Sequence, residues 1–317
     1  MGSTVKTISL SEKFPFPDEL VLTQTENIFS SIPDDSMVIV DGLAFGAMKN
    51  LVRINKSRLN LIALCHHPLA METGLDPYER KLLLQSESYA LKNANHVIVT
   101  SQNTRKILIK DFSISASQIT VALPGTDRYS FARCNGSPPK LLTCASLIKR
   151  KGHDILIEAL REIHYLNWEA RFVGDETLDP KWASELRDKV ALSGLSTQIE
   201  FVGTVANIAS EYQNADIFVL PSKFEGYGMV LSEAMAHGLP IISTRTGAIP
   251  EVVPESAGIL VKSEDHSALA AALKKLILDG DLRNTMQLSA QKAASTLPTW
   301  RACAELILKG MEIITKR

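Results

Sequence analysis

The stretch that decides the fold is residues 216–233, DIFVLPSKFEGYGMVLSE. Its first part, Ile217–Leu220, is a short apolar run of the kind that a buried parallel strand uses. From Met229 onward, apolar residues recur at helical spacing. Gly226 and Gly228 lie in the turn between these two parts. The stretch therefore predicts a strand, a glycine turn and a helix, which is the repeating unit of parallel α/β folds.

The same turn carries chemistry that a structural connection does not need. Backbone N–H groups at a helix start bind anions such as phosphates. Glu225 and Glu233 lie eight positions apart around the helix start. A carboxylate does not bind phosphate without a cation, so we expect these two side chains to accept hydrogen bonds from sugar and ribose hydroxyls. The pattern indicates a nucleotide-sugar site; a structural turn with a solvent-facing glutamate is the alternative.

A second turn, Ser146–His153, links another predicted strand to its helix. It contains three consecutive cations, Lys149, Arg150 and Lys151. Cations before a helix start can neutralise a diphosphate together with the N–H groups of the glycine turn. A solvated basic turn is the common alternative, but the two glutamates in the same domain favour phosphate binding. A third turn, residues 243–251, either lines the same pocket or is structural.

Composition limits the classes of function. The 317 residues suggest two domains of about 150 residues each. A net charge of −1 argues against nucleic acid as a partner. No apolar run reaches the roughly eighteen residues of a membrane span, and no signal peptide is visible. Four scattered cysteines without a C-x-x-C pair indicate free thiols in a reducing compartment and no metal site. We therefore expect a cytoplasmic protein.

Short β-branched runs alternate with amphipathic helical segments along the chain, which predicts two Rossmann-like, doubly wound parallel-sheet domains of the α/β class. The polar, proline-containing stretch 133–139 is the predicted linker. The predicted limits are 1–137 and 138–297, with a final helix, 298–317, packing back toward the first domain. The predicted strands are Val5–Leu10, Met37–Asp41, Leu59–Cys65, His96–Thr100, Ile119–Ala122, Lys140–Ala145, Ala170–Val173, Ile199–Val202, Ile217–Leu220, Ile241–Ser243 and Ile259–Val261.

In the first domain, His66 and His67 lie at the carboxyl end of a predicted strand, where ligands of α/β proteins collect. Adjacent residues of an extended chain point to opposite sides, so the two side chains are poorly placed to bind one metal ion. We expect one histidine to face the cleft between the domains as a hydrogen-bond partner of a sugar. Two structural histidines are the alternative.

Four segments together resemble a known family: ASLIKRKGHD (145–154), FVGD (172–175), LPSKFEGYGM (220–229) and GAIPEVV (247–253). In this order they are similar to retaining glycosyltransferases of the GT-B fold, in the large Glu-x7-Glu group (family 4 type) typified by sucrose, trehalose and lipopolysaccharide glycosyl transfer. The resemblance runs over nearly all of residues 59–317.

The resemblance implies a role for each site residue. Lys151, with Arg150, would contact the donor diphosphate, Glu233 would bind the ribose hydroxyls, and Glu225 would bind the donor sugar. His66 matches the cleft-facing histidine of the family, with His67 as the second choice, so His66 and Glu225 are the expected catalytic residues. Backbone amides beneath the diphosphate would belong to Gly226, Tyr227, Gly228, Met229 and Val230.

The chain departs from the family in two places. Ser146 stands where the family often has arginine, five positions before Lys151, so the second diphosphate cation must be Arg150, Lys149 or another residue. In addition, Val5–Leu10 resembles the second strand of the family. The first strand, its glycine-rich loop and the first helix are therefore expected to be absent, and an unfilled gap there would leave unpaired backbone edges.

The expected function is transfer of a sugar, of the hexosyltransferase type, from a nucleotide-diphosphate donor to a hydroxyl acceptor with retention. The acceptor would be a sugar, a lipid-linked molecule or a small molecule. No Asp-x-Asp run follows a predicted strand, so we expect neither a metal ion nor a cofactor. The alternatives are a nucleotide-sugar-binding protein that has lost catalysis and a sugar-nucleotide epimerase, which would need acid and base residues around the sugar C2.

A basic segment in the first domain contains Lys49, Arg53, Lys56 and Arg58. Cations near an anionic bilayer favour membrane attachment, but the apolar residues between these cations are too few for a strong amphipathic anchor. We therefore expect at most weak, salt-sensitive contact with the inner membrane surface.

Overall fold

A computed structural model describes residues 5–315 of the chain. The chain forms two compact units. Of the described residues, unit 1 contains 5–122 and 304–315, and unit 2 is Leu123–Cys303. Each unit has its own parallel sheet covered by helices, which confirms the predicted α/β class with two Rossmann-like domains.

Residues 5–315 contain ten strands, four in unit 1 and six in unit 2. They are β1 (Met37–Asp41), β2 (Asn60–Cys65), β3 (His96–Val99), β4 (Ile119–Val121), β5 (Lys140–Cys144), β6 (Glu169–Val173), β7 (Ile199–Gly203), β8 (Ile217–Leu220), β9 (Ile241–Thr244) and β10 (Gly258–Val261).

The same residues form thirteen α-helices. They are α1 (Glu19–Ser30), α2 (Gly42–Phe45), α3 (Lys49–Asn55), α4 (Pro77–Lys92), α5 (Gln102–Asp111), α6 (His153–Glu162), α7 (Pro180–Leu192), α8 (Ile208–Gln213), α9 (Met229–Ala236), α10 (Ile249–Val252), α11 (His266–Leu278), α12 (Gly280–Ala294) and α13 (Trp300–Thr315).

The sheet of unit 1 has the order β1-β2-β3-β4, with all pairs parallel. All four side chains of β3 are buried, as expected of a strand covered on both faces. Helix α4 is capped by Asp76, which accepts a hydrogen bond from the N–H of Glu79, while the Glu79 carboxylate accepts one from the N–H of Asp76. This capping box fixes the start of the helix that packs against Leu69–Met71, the short segment after β2.

The sheet of unit 2 has the order β10-β9-β8-β5-β6-β7. The chain runs outward from β5 through β6 to β7 and then returns to the other side of β5 with β8. Such a reversal of strand order opens a crevice at the carboxyl ends of the two strands, where α/β proteins bind ligands. The turns that follow β5, β8 and β9 therefore lie next to one another.

The predicted strand Val5–Leu10 is wrong. Residues 5–10 form no strand and pair with none of the strands of unit 1. A strand needs a backbone partner and at least one buried face, whereas Val5 is 81% exposed and Ile8 is 40% exposed. The β-branched residues of this segment therefore gave a strand-like sequence pattern, although the segment is not buried as a strand would be.

The boundary between the two compact units also differs from the predicted domain limits. It falls between Ala122 and Leu123, ahead of the predicted linker, because the linker packs on unit 2. The N–H of Ala132 donates to the carbonyl of His237 over 2.8 Å, and the N–H of Gly136 donates to Asp216 Oδ1 over 2.7 Å. At the other end, the part of α13 from Ala304 onward belongs to unit 1.

Only some of the cations in the basic segment of unit 1 are exposed and could contact a membrane surface. Arg58 donates to the carbonyls of Phe29 and Ile32 and pairs with Asp34, so its charge is used inside the unit. Lys49, Arg53 and Lys56 remain exposed. Within residues 5–315, no helix combines the length and the apolar character that crossing a membrane requires.

Asp216 offers a test of how the linker is held. Its buried carboxylate accepts the N–H groups of Gly136 and Lys140, both over 2.7 Å. The change Asp216→Ala leaves both donors without this partner, so we expect the free energy of unfolding to fall by about 3 kcal/mol. Urea unfolding of the variant measures the loss. The control, Asp188→Ala at an exposed position of α7, should change stability by less than about 0.5 kcal/mol, and equal effects of the two changes would contradict the assignment.

Candidate functional site

Two glycines allow the three neighbouring turns of unit 2 to meet. Gly152, after the cationic turn, has φ +72°, and a Cβ there would lie 2.2 Å from the carbonyl oxygen of Pro221. Gly247, after β9, has φ +55°, and a Cβ there would lie 2.2 Å from the carbonyl oxygen of Glu225. Both positions therefore require glycine, for the backbone conformation and for the close approach.

The carboxylate of Glu225 lies at the centre of these turns and is 5% exposed. Its Oε1 accepts hydrogen bonds from Lys151 Nζ and from Ser222 Oγ, both over 2.7 Å. Its Oε2 lies 3.4 Å from Arg150 Nη1. The structure thus brings together the predicted residues Glu225, Lys151 and Arg150 and adds Ser222 as a further partner.

The charges of this cluster keep Glu225 ionised. Burial alone would raise the pKa of its carboxyl, but the charges of Lys151 and Arg150 and the hydrogen bonds from Lys151 and Ser222 lower that pKa below its usual value. One carboxylate and two cations leave a net positive charge at the end of β5 and β8. A centre with this net positive charge can attract an anion.

Arg150 is the second cation of the cluster, and Lys149 is directed elsewhere. Arg150 Nη1 also donates to the carbonyl of Phe224 over 3.2 Å, so its guanidinium is anchored to the glycine turn. Lys149 Nζ lies over the ring of Trp182, 5.4 Å from its centroid. The structure therefore favours Arg150 over Lys149 as the cation that acts beside Lys151.

The third turn, residues 243–251, forms hydrogen bonds to the backbone of the turn that carries Glu225. The N–H of Ala248 donates to the carbonyl of Glu225 over 2.9 Å. Thr244 Oγ1 donates to the carbonyl of Ser222 over 2.5 Å, and Thr246 Oγ1 donates to the carbonyl of Lys223 over 3.1 Å. Of the two interpretations of residues 243–251, these contacts support the structural one.

Helix α9 begins directly after the glycine turn, and its N-cap is Gly228 with φ +89°. The first N–H groups of a helix have no partner within it and carry partial positive charge, so they can receive an anion. Met229 is 41% exposed, which places this helix start at the surface. Tyr227 is 7% exposed and its hydroxyl bonds to Ser232, so only its backbone can serve a ligand.

Glu233 lies in the second turn of α9, and its side chain is partly exposed. Its Oε2 accepts a hydrogen bond from the Tyr212 hydroxyl over 3.0 Å. The carboxylate is therefore held at one oxygen, which leaves Oε1 accessible to hydroxyl groups. The apolar spacing of the helix did not predict this contact, because Tyr212 lies 21 residues earlier in the chain.

In unit 1, the two predicted histidines take different partners, as expected of neighbours on an extended chain. His66 Nε2 lies 2.9 Å from Asp41 Oδ2, and His67 Nε2 lies 3.0 Å from Glu72 Oε2. The hydrogen bond from His66 lowers the pKa of Asp41, so the carboxylate is ionised and accepts the Nε2 proton. This leaves Nδ1 of the half-exposed His66 ring as the atom that can meet a ligand hydroxyl.

The loop that follows the histidines is held by Glu87 of α4, which is 1% exposed. Glu87 Oε2 accepts the N–H of Leu69 over 2.8 Å, and the N–H of Ala70 also bonds to this carboxyl group. Burial raises the pKa of Glu87 from 4.5 to about 8, against the lowering effect of these two hydrogen bonds. A buried carboxyl group in this position determines the path of the chain beyond His67.

Residues 138–279 match the family model "Glycosyl transferases group 1". The chain is 30% identical over 196 residues to the lipopolysaccharide core biosynthesis mannosyltransferase LpsB of Rhizobium meliloti, and this match covers 58% of the chain and 56% of that protein. The chain spans 56% to 64% of the length of three curated relatives.

Two solved structures share the fold of the chain. The sucrose-phosphate synthase of Thermosynechococcus elongatus superposes with a TM-score of 0.80 at 23% identity, covering 94% of this chain and 79% of that one. The Anabaena protein Alr3699/HepE, solved in complex with UDP and glucose, superposes with a TM-score of 0.77 at 20% identity, covering 92% and 81%. Likenesses at these identities show the fold, which is the GT-B fold expected from the sequence.

The raised pKa of Glu87 predicts that the free energy of unfolding depends on pH. Because its folded pKa of about 8 lies above the reference value of 4.5, the folded chain binds this proton more tightly than the unfolded chain. The resulting stability is complete below about pH 4.5 and is lost as the pH rises to about 8, with a slope of up to about 1.4 kcal/mol per pH unit. The neutral variant Glu87→Gln should lack this slope.

Urea unfolding at pH 5.5 and pH 7.5 measures the effect. The free energy of unfolding of Glu87→Gln, relative to that of the unmodified protein, should be larger at pH 7.5 than at pH 5.5. The exposed Glu12→Gln serves as the control and should run parallel to the unmodified protein. Parallel behaviour of Glu87→Gln would contradict the raised pKa.

Proposed function

We propose that this chain transfers a hexose from a nucleotide-diphosphate donor to a hydroxyl acceptor, with retention and without a metal ion. The observation that carries the proposal is the convergence of Lys151, Arg150 and Glu225 beside the start of α9. Support comes from the family match over residues 138–279 and from the UDP and glucose bound to the Anabaena protein of the same fold.

The leaving group determines the chemistry that the site must supply. Transfer breaks the bond between the sugar C1 and a phosphate oxygen, and the bonding electrons go to the nucleotide diphosphate. Lys151, Arg150 and the N–H groups at the start of α9 are placed to stabilise the negative charge that develops there. Fixed cations and N–H groups provide the neutralisation that a divalent ion would otherwise supply.

Glu225 holds the cations and can also bind the donor sugar. Each carboxylate oxygen accepts two hydrogen bonds, and within residues 5–315 Oε2 has a single long contact, 3.4 Å from Arg150 Nη1. Oε2 can therefore accept a sugar hydroxyl while Oε1 stays bonded to Lys151 and Ser222. In this role Glu225 couples the position of the sugar to that of the diphosphate.

In unit 1, His66 is proposed to bind a sugar hydroxyl through Nδ1, with Asp41 orienting its ring. The acceptor is a hydroxyl group of a sugar, a lipid-linked molecule or a small molecule. The cytoplasmic location and the weak, salt-sensitive membrane contact remain predictions from the sequence.

Retention follows from attack on the face of the sugar from which the phosphate leaves, in which the acceptor gives its proton to the departing phosphate oxygen. A double displacement would instead need a nucleophile on the opposite face. Proton NMR of the product from an α-linked donor should therefore show an α-linked sugar. A β-linked product would refute the mechanism.

Two substitutions test the donor site separately. Lys151→Ala should weaken binding of UDP or GDP much more than binding of the free nucleoside, because Lys151 acts on the phosphates. Glu233→Ala should weaken both nucleotide and nucleoside by about 2 kcal/mol, the order of a hydrogen bond to a charged group. Isothermal titration calorimetry measures both effects.

Lys181→Ala, at an 89% exposed side chain of α7, is the matched control and should leave binding unchanged. Equal losses for diphosphate and nucleoside in Lys151→Ala would assign Lys151 a structural role. Nucleotide binding without sugar transfer in the unmodified chain would instead favour a binding protein that has lost catalysis.

A further inference from the structure

A partly exposed glutamate on a helix surface adopts several rotamers, and each hydrogen bond to a ligand must overcome the loss of that freedom. Glu233 departs from this behaviour, because three aromatic side chains lie beside it. The group consists of Tyr129, Tyr212 and His237 and is called the aromatic stack below. All three residues belong to unit 2.

Tyr212 is the member that contacts the carboxylate. It is 1% exposed, and its hydroxyl donates to Glu233 Oε2 over 3.0 Å while lying 3.4 Å from the carbonyl of Val230. Burial raises the pKa of Tyr212 well above its usual value, so the hydroxyl keeps its proton and stays a donor. A buried ring has little freedom to leave this position.

His237 holds the backbone of the same glutamate. Its Nδ1 lies 2.8 Å from the carbonyl oxygen of Glu233, and because a carbonyl only accepts, Nδ1 carries the proton and donates. Burial lowers the pKa of His237, which keeps the ring neutral. Main chain and side chain of Glu233 are therefore held by two neighbouring rings.

The rings support each other by stacking. The centroids of Tyr212 and His237 lie 4.8 Å apart with planes inclined by 16°, and those of Tyr129 and His237 lie 4.3 Å apart with planes inclined by 14°. Stacked rings at such distances attract one another beyond the effect of burial. Tyr129 is 37% exposed and closes the outer side of the aromatic stack.

We propose that Tyr212 is a positioning residue for the nucleotide ribose: its hydroxyl fixes Oε2 of Glu233 so that Oε1 faces the ribose hydroxyls, and the site thereby selects ribonucleotides over deoxyribonucleotides. The proposal rests on the proposed function, in which Glu233 binds the ribose. Preorganisation of a hydrogen-bond acceptor improves affinity by reducing the ordering that binding requires.

The test compares affinities for UDP, or for GDP if it binds more tightly, with those for the matching 2′,3′-dideoxynucleotide. Tyr212→Phe keeps the ring and the stacking and removes only the hydroxyl. It should weaken ribonucleotide binding about threefold to tenfold and leave dideoxynucleotide binding unchanged. Tyr165→Phe removes an exposed hydroxyl that bonds to Lys274 and should change neither affinity.

A double-mutant cycle decides whether Tyr212 acts through Glu233. Glu233→Ala should weaken ribonucleotide binding, and Tyr212→Phe should then add no further loss. Equal losses for the ribonucleotide and the dideoxynucleotide, or a full additional loss in the Glu233→Ala background, would overturn the proposal and make Tyr212 structural. Thermal unfolding of each variant identifies any loss of folded protein.

A second variant keeps the test valid if Tyr212→Phe does not fold. Tyr129→Leu removes the outer ring at a partly exposed position, and it should weaken the ribonucleotide selectively, though less than Tyr212→Phe. Loss of binding by Glu233→Ala without any selective effect of the tyrosine variants would reject this proposal alone. No effect of Glu233→Ala, or no binding of UDP and GDP by the unmodified chain, would reject the proposed function itself.

Discussion

The ion pair between Glu225 and Lys151 is the interaction on which the candidate site depends. A carboxylate that is 5% exposed is stable in the ionised form only beside cations, and Lys151 and Arg150 supply them. Removing one partner of such a pair costs about 3 to 5 kcal/mol, because the remaining charge stays buried. The pair therefore requires that the turns after β5 and β8 stay in contact.

The topology of unit 2 creates this contact. The reversal of strand order between β5 and β8 brings the two turns to adjacent strand ends, and the third turn follows β9 on the next strand. Gly152 and Gly247 let the backbones approach to distances that a Cβ would not allow. The excess of cations over carboxylates at this point is then positioned beside the start of α9, so the fold concentrates positive charge where a diphosphate would bind.

Local sequence patterns predicted much of this arrangement. Strands β1 and β8 have the predicted limits, because runs of apolar residues bounded by turns are local signals. Glu225 and Glu233 were predicted from their spacing around the glycine turn, whereas Lys151 was selected from its run of three cations by the resemblance to the family. The strand Val5–Leu10 was predicted by the same kind of pattern, but burial depends on a partner that local composition does not reveal.

The partners that hold the predicted residues were not predicted. Tyr212 reaches Glu233 across 21 residues, Asp41 reaches His66 across 25, and Glu87 reaches Leu69 across 18. These contacts arise only when separate elements pack together. Ser222 is the exception, since it lies three residues before Glu225 and could have been found as a hydroxyl on the same turn.

The most direct measurement of the central claim is a structure of the protein with UDP or GDP bound. We expect diphosphate oxygens within hydrogen-bonding distance, about 2.7–3.2 Å, of Lys151 Nζ and of the N–H groups at the start of α9, with the ribose on Glu233. A nucleotide bound elsewhere, with Lys151 Nζ contacting only Glu225 as it does at 2.7 Å here, would contradict it.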